Sequence, residues 1–353
     1  MRKIAQVTIA DVAKEAGCSI STVSLVMSDS EKIKAETKTR VLDICRRLGY
    51  SRNFAAHSLR NKRTKLLGVI VPNLENPMFS LMINGSESYA SSMGYNIILS
   101  VTSLSLEKEM SNMRMLSERC VDGLLLFPTY LKELYPILAS NNDIRKIPVV
   151  LCGSSGLPEI PISYVKCDNR MGAYIATEHL AKIGRKRIAC LCAVASEQQA
   201  LSRIQGYRDA LDFYNIPAED DLVVFCSQDA EDIFNSAIKL INEKQIDAIF
   251  CLYDYMSIAV MKAAKRLNLS IPEDIAIVGY DNITVSAFMP TSLTTIDTHG
   301  WRVGSMATEL LIKKIQDPDM PERQIQLKPE LVIRESTGGL PDANKLLYHN
   351  FYS

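Results

Sequence analysis

Two groups of residues in this 353-residue chain carry side chains suited to recognition chemistry. The first lies near the N-terminus, in Ser19-Ile20-Ser21-Thr22-Val23-Ser24-Leu25. As a helix, this run turns Ile20, Ser21, Ser24 and Leu25 outward while Val23 and Val26 face a small core. Outward hydroxyls suit phosphate oxygens and base edges, and an aliphatic tip suits a thymine methyl. Thr8, Ser19, Ser28 and nearby amides would hold phosphates and fix register, and Thr22 joins these candidates. The second group follows short apolar runs further along. Asn76, Met78 and Phe79 follow Leu66–Val71, and Ser154 follows Pro148–Cys152. Phe250, Tyr253 and Asp254 lie at the end of the run from Ala248, Asp281 follows Ile275–Gly279, and Arg203 is placed on a loop before a Gln205–Tyr214 helix. A guanidinium fork and a carboxylate suit the vicinal hydroxyls of a sugar-like ligand, with an aromatic face over its apolar side. Plainer roles are also open: a helix cap for Asp254, core for Phe79 and Phe250, a surface ion pair for Arg203.

Catalytic chemistry finds no footing. No G-x-G-x-x-G follows a strand and no phosphate-binding G-x-x-x-x-G-K-[ST] occurs. Gly153-Ser-Ser-Gly156 is not a nucleophile elbow. The four histidines (57, 179, 299, 349) are scattered, so neither an enzyme, a cofactor nor a metal site is expected. The nine cysteines contain no C-x-x-C pair and sit mostly in apolar runs, as buried reduced thiols do. No run of about 18 apolar residues and no signal-like segment is present, so a cytoplasmic protein without a membrane partner is expected.

The elements that must position these residues fall into two textures. Thr8-Ile9-Ala10-Asp11 reads as a capping box opening a helix to about Ala16, stopped by Gly17. Ser19 caps a second helix, about Ile20–Met27, and a third fits Glu36–Leu48. Two helices joined by a tight glycine-containing turn make a helix-turn-helix, although the pattern also fits a plain three-helix packing module. Residues 1–65 hold 14 Lys+Arg against 6 Asp+Glu, so a basic head precedes an acidic remainder in a chain of net charge zero. That asymmetry points to a polyanion partner for the head. From Leu66 onward, short apolar runs at 66–71, 95–101, 123–127, 148–152, 187–192, 222–226, 248–252 and 275–278 alternate with amphipathic segments such as Phe79–Ser92, Glu107–Arg119 and Met171–Ile183. Such alternation implies parallel sheets in an α/β fold, with ligands beyond the carboxyl ends of the strands.

The run Val7-Thr-Ile-Ala-Asp-Val-Ala-Lys-Glu-Ala-Gly-Cys-Ser-Ile-Ser-Thr-Val-Ser-Leu-Val-Met27 closely resembles the N-terminal signature of the lactose-repressor (LacI/GalR) family. Further matches follow in family order: Arg40–Tyr50, Asn53–Leu59, Leu67–Pro72, Asn76–Phe79, Val121–Gly123, Asp168-Asn169, Arg203 with Gly206-Tyr207, Ile271–Asp274, Gly279–Asn282 and Leu293–Thr295. The resemblance implies a helix-turn-helix head at 1–50, a hinge at 51–65, a two-lobed periplasmic-binding-protein-like body at 66–340 and a tail at 341–353. The lobes would comprise 66–167 with 298–327, and 168–297 with 328–340, with crossings near 167, 297 and 327. It implies paired hinge helices in the minor groove, with Leu59 as the wedge, Arg60 beside it, and Asn53, Ala56 and His57 among the contacts. The same stretch also fits a charged linker whose Leu59 packs on the body. Arg203 and Asp281 become the polar anchors of the cleft. The expected function is a DNA-binding transcription regulator, a repressor acting as a homodimer on a palindromic operator under a small, sugar-like effector. Two rivals stay open: control by a partner protein over a vestigial cleft, and a solute-binding protein. The tail has no sustained heptads to suggest a tetramerising coiled coil.

The departures are specific. Leu25 stands where the family often has an arginine that reaches guanine. Ile33 and Lys34 replace valine and serine at the start of the third helix, which loses a cap, and Arg52 replaces a proline. Tyr253 replaces an asparagine, and Ser154 stands where the family's purine-sensing member has a stacking aromatic, which argues against a purine.

Overall fold

Local chemistry near the N-terminus sets three helices in order. Helix α1, Ile9–Glu15, starts at a reciprocal capping box: the Thr8 amide donates to Asp11 Oδ2 at 2.9 Å and the Asp11 amide to Thr8 Oγ1 at 3.4 Å. Gly17 then takes φ +60°, which a side chain would resist, and the chain turns. Ser19 Oγ accepts the Thr22 amide at 3.0 Å and opens α2, Ile20–Met27. Helix α3, Ala35–Leu48, ends on left-handed Gly49 but has no side-chain hydrogen bond at its N-cap, Lys34. The three bury Val12, Ala13, Val23, Val26, Val41, Ile44 and Cys45 as one core.

The computed structural model describes residues 7–27, 30, 32–50, 63–118, 121–134, 147–154, 161–193 and 197–339, and the chain divides into two compact units, Met1–Thr64 and Lys65–Ser353.

The second unit is built on two parallel sheets. The first has six strands in the order β11-β5-β4-β3-β1-β2: β1 Leu66–Val71, β2 Asn96–Val101, β3 Gly123–Leu126, β4 Val149–Cys152, β5 Ser163–Cys167 and β11 Gln324–Leu327. The second runs β7-β6-β8-β9, with β6 Ile188–Ala193, β7 Val223–Cys226, β8 Ala248–Cys251 and β9 Ala276–Val278. A small antiparallel pair joins β10 Thr295–Asp297 to β12 Glu330–Val332. Both large sheets carry apolar clusters beneath covering helices. The chain leaves the first sheet after Cys167, returns to it after Asp297, and leaves β11 for β12 after Leu327.

In chain order the helices of this unit that lie wholly within the described residues are α4 Pro77–Ser92, α5 Leu106–Glu118, α6 Asn169–Lys182, α7 Glu197–Phe213, α8 Ala230–Lys244, α9 Asp254–Arg266 and α10 Gly300–Gln316. Four of them, α4, α6, α7 and α10, matter to the cleft. Helix α4 lies against α10 backbone to backbone. A Cβ on Gly85 would sit 1.9 Å from the Trp301 carbonyl oxygen, and one on Gly304 1.9 Å from that of Met82. Two sequence expectations need correcting here. Helix α7 begins eight residues before the expected Gln205, so Arg203 lies within it and not on a loop. Strands β5, β10, β11 and β12 were not anticipated; they are three to five residues long, β5 alternates buried with half-buried residues and β11 exposed with half-buried ones. Among the described residues no helix is long and apolar enough to cross a membrane.

Candidate functional site

In the head, α2 presents the expected face. Ile20 is 46% and Leu25 38% exposed, Ser21 is exposed and Ser24 half-buried, while Val23 and Val26 are in the core. Thr8 donates its hydroxyl to Asp11 Oδ2 at 2.7 Å, and the Ser19 and Thr22 hydroxyls are 2.9 Å apart. Their oxygens keep lone pairs, and the exposed cap residues sit at helix N-termini, where anions are favoured. Ser28, Asn53, Ala56, His57, Leu59 and Arg60 lie outside the described residues.

In the second unit, strand ends deliver a cavity of about 50 Å³ between the sheets, lined by Asn76, Met78, Phe79, Arg203, Tyr253 and Asp281 among others. Asn76 caps α4, its Oδ1 accepting the Met78 amide at 2.9 Å, and so fixes the turn that carries Met78 and Phe79. Phe79 packs edge-on to Phe127, centroids 6.1 Å apart. Arg203 is 4% exposed, and its guanidinium is held on all sides. Nε donates to Asn169 Oδ1 at 2.9 Å, Nη1 to the Leu252 carbonyl, and Nη2 faces Asp281 Oδ1 at 3.5 Å. The Tyr280 ring lies 3.7 Å and the Tyr253 ring 4.8 Å from its central carbon.

Asp281 differs from its partner. It is 2% exposed, and neither carboxylate oxygen receives a hydrogen bond from the protein. Its amide donates to the Ile296 carbonyl at 2.9 Å, holding φ at +117°. Burial pushes its carboxyl up to about 8 against the opposing pull of Arg203. A buried acceptor left open in this way is costly, and a ligand bearing hydrogen-bond donors would relieve the cost.

Three expected cleft residues stand elsewhere. Phe250 is fully buried in the second sheet's core, its ring 6.3 Å from that of Tyr280, and does not line the cavity. Asp254 is neither a cleft residue nor a helix cap. It follows the N-cap, Tyr253, and its carboxylate accepts the Ile283 amide (2.9 Å), Ser286 Oγ (2.7 Å) and Thr295 Oγ1 (2.5 Å), tying three segments together. Ser154 lines a neighbouring cavity. Phe127, Asn169 and Gln199 also line the cavity and are not among the residues expected there. Asn169 lies just beyond β5, as other cleft residues lie just beyond their strands, but β5 has no unbroken apolar run to mark it in the sequence.

The N-terminal segment, residues 8–53, matches the model of bacterial regulatory proteins of the lacI family, and residues 177–337 match a periplasmic binding protein-like domain. The HTH-type transcriptional repressor PurR of Photobacterium profundum is 32% identical over 336 residues, which are 94% of this chain and 99% of that protein. The chain belongs to the lacI family. It is a helix-turn-helix DNA-binding transcription regulator with a periplasmic-binding-protein-like body. Among solved lacI-family structures, the lac repressor dimer bound to operator and the anti-inducer ONPF superposes with a TM-score of 0.82 at 25% identity, covering 94% of this chain and 99% of that one. The complex of the regulator CelR with cellobiose gives 0.70 at 26% identity, covering 94% and 100%.

Proposed function

We propose that this lacI-family protein is a repressor that binds a palindromic operator as a homodimer and is controlled by a neutral, polyhydroxylated ligand in the cleft. The observation that carries the ligand reading is Asp281, a buried carboxylate whose oxygens accept no hydrogen bond within the protein and whose Oδ1 faces Arg203 Nη2 at 3.5 Å. Vicinal hydroxyls donate to such a carboxylate, and Phe79 and Phe127 offer apolar surface to a sugar ring. The relatives named as repressors, and the cellobiose and ONPF complexes among the structural neighbours, support the same reading. In the head, Ile20, Ser21, Ser24 and Leu25 would face the major groove while Thr8, Ser19 and Thr22 hold phosphates. Residues 51–65 would act as the hinge, with Leu59 as wedge. A homodimer also accounts for strand β2, which ends the first sheet with Leu99 40% and Val101 37% exposed; apolar edge strands call for cover.

Ligand acts only through unequal affinity for the operator-competent and operator-free states. Selection of bound DNA from a random pool, repeated across sugars, tests the whole reading. A palindromic consensus whose recovery changes with one sugar is expected. Specific DNA binding that survives deletion of residues 1–65 would overturn it.

A further inference from the structure

At one wall of the cavity around Asp281 the two lobes meet through the protein's own chemistry. Gly153 follows β4 in the first sheet, and Gln199 lies in the first turn of α7, which packs on the second sheet. The Gln199 side chain crosses the gap, its Nε2 donating to the Gly153 carbonyl at 2.9 Å. Both ends are firmly held. The Gly153 amide donates to the Val165 carbonyl at 2.8 Å. Gly153 also takes φ +75°, and a Cβ there would press on Met82 at 3.1 Å, so the turn calls for a glycine. On the other side Ala200, Ile204 and Tyr207, all buried in the second sheet's core, anchor α7 next to Gln199.

The space bordered by this bond is small. The cavity measures about 50 Å³, whereas sites that hold small molecules run to roughly 300–1,000 Å³. Side chains of the second-lobe wall cannot step aside to enlarge it. Arg203 is 4% exposed and bound to Asn169 and the Leu252 carbonyl. Tyr253 is 3% exposed and lies between the Arg203 guanidinium, 4.8 Å from its ring, and Tyr255, stacked at 5.7 Å and 22°. Room for a sugar ring therefore has to come from the lobes moving apart, and moving them apart breaks the bond from Gln199 to Gly153.

We propose that Gln199 is a latch: its hydrogen bond to Gly153 holds the lobes in a closed form too tight for a sugar ring, and the effector enters only when that bond is broken. The inference rests on the cleft being the effector site and adds a regulating element to it. Apparent effector affinity is scaled down by the fraction of molecules whose latch is open, so the latch tunes the concentration at which the regulator responds.

The test uses the full chain as wild type, Gln199→Ala and Gln199→Glu. Glutamate keeps the size of glutamine, suits the first turn of a helix and has no donor for the carbonyl. Lobe separation is read with no sugar added, from the distance between spin labels on unnatural residues in place of Lys132 and Leu201, exposed positions on the first and second lobe, with labelled chain diluted into unlabelled. One hydrogen bond shifts an equilibrium by roughly two- to tenfold, so both variants should raise the ratio of long to short distances by about that factor. Association of a sugar that binds wild type, drawn from hexoses, pentoses and cellobiose, should quicken by a similar factor in both. Loss of a direct contact to the sugar would act instead on dissociation and leave association alone. Unchanged distances in both variants overturn the latch and leave the cleft reading standing. Opening in Gln199→Ala with Gln199→Glu still closed also overturns it, because bulk and not the hydrogen bond would then hold the lobes. Opening in both variants with no sugar bound by any chain supports the latch and counts against the cleft as a sugar site.

Discussion

Asp281 holds a backbone conformation that glycine would adopt more easily, with φ at +117°, and the next residue, Asn282, is left-handed too. Strain of this sort persists only where surroundings impose it. Here Asn282 Nδ2 donates to Asp297 Oδ2 at 3.1 Å, and its Oδ1 accepts Arg334 Nη2 at 2.8 Å, clamping the segment. Because the carboxyl titrates near 8 when folded and near 4 when unfolded, the folded protein keeps a proton that the unfolded chain releases between those values. The stabilisation is whole below about pH 4 and drains as pH rises towards 8, by up to about 1.4 kcal/mol per pH unit. The melting temperature of the unliganded protein should therefore fall from pH 5 to 8, and the Asp281→Asn protein should show a flatter profile. A ligand that donates to the ionised carboxylate should bind more tightly as pH rises over that range, which calorimetry in buffers of different ionisation enthalpy would register as proton release. Asp281 and Arg203 could be found from sequence because each sits in a recognisable run. What could not be found there is how Arg203 is held and Asp281 left without a hydrogen-bond donor, since that depends on the Leu252 carbonyl, just past β8, and on Asn169 at the start of α6.

At the level of the element, α3 is incompletely finished. Lys34 already has the extended backbone of an N-cap, φ −59° and ψ 142°, but no side-chain acceptor. Replacing it by Asp should add roughly 0.5–1 kcal/mol to the head by satisfying an orphan amide and complementing the helix dipole. Slower hydrogen exchange at the α3 amides would register the gain; unchanged rates would show that this helix end is already satisfied. Thr8→Ala should cost about as much in α1. The crossing of α4 and α10 is less forgiving. Gly304→Ala places a methyl against backbone that cannot step aside, and a loss of about 1–3 kcal/mol or more is expected in denaturant melts. Helices with a clear cap or stop, and strands with an unbroken apolar run, were readable in advance. Strands β10 and β12 were not, because three residues give no period, and β5 and β11 were not, because Tyr164, Lys166, Gln324 and Gln326 interrupt the apolar pattern. Such strands are specified by their neighbours, not by their own residues.

For the whole molecule, the division into units at Thr64 and Lys65 has a direct consequence for experiment. A fragment of residues 65–353 should bind the effector with the affinity of the full chain while losing the operator, as read by calorimetry and gel shift on the same preparation. The uneven charge predicts that operator affinity falls steeply with salt, since a head with 14 basic and 6 acidic residues in its first 65 meets phosphates by displacing counterions. A shallow salt dependence would count against phosphate anchoring by the head. Inside the body, the glycine contact between α4 and α10 acts as a weld. Asn76, at the start of α4, lines the cleft, and α10 starts three residues after Asp297, where the chain passes between sheets. With Gly85 and Gly304 pressed onto opposing backbone, neither helix can slide or bend without the other. A displacement of Asn76 and Met78 would then be carried by both helices together towards residues 297–300, where the chain passes between the sheets.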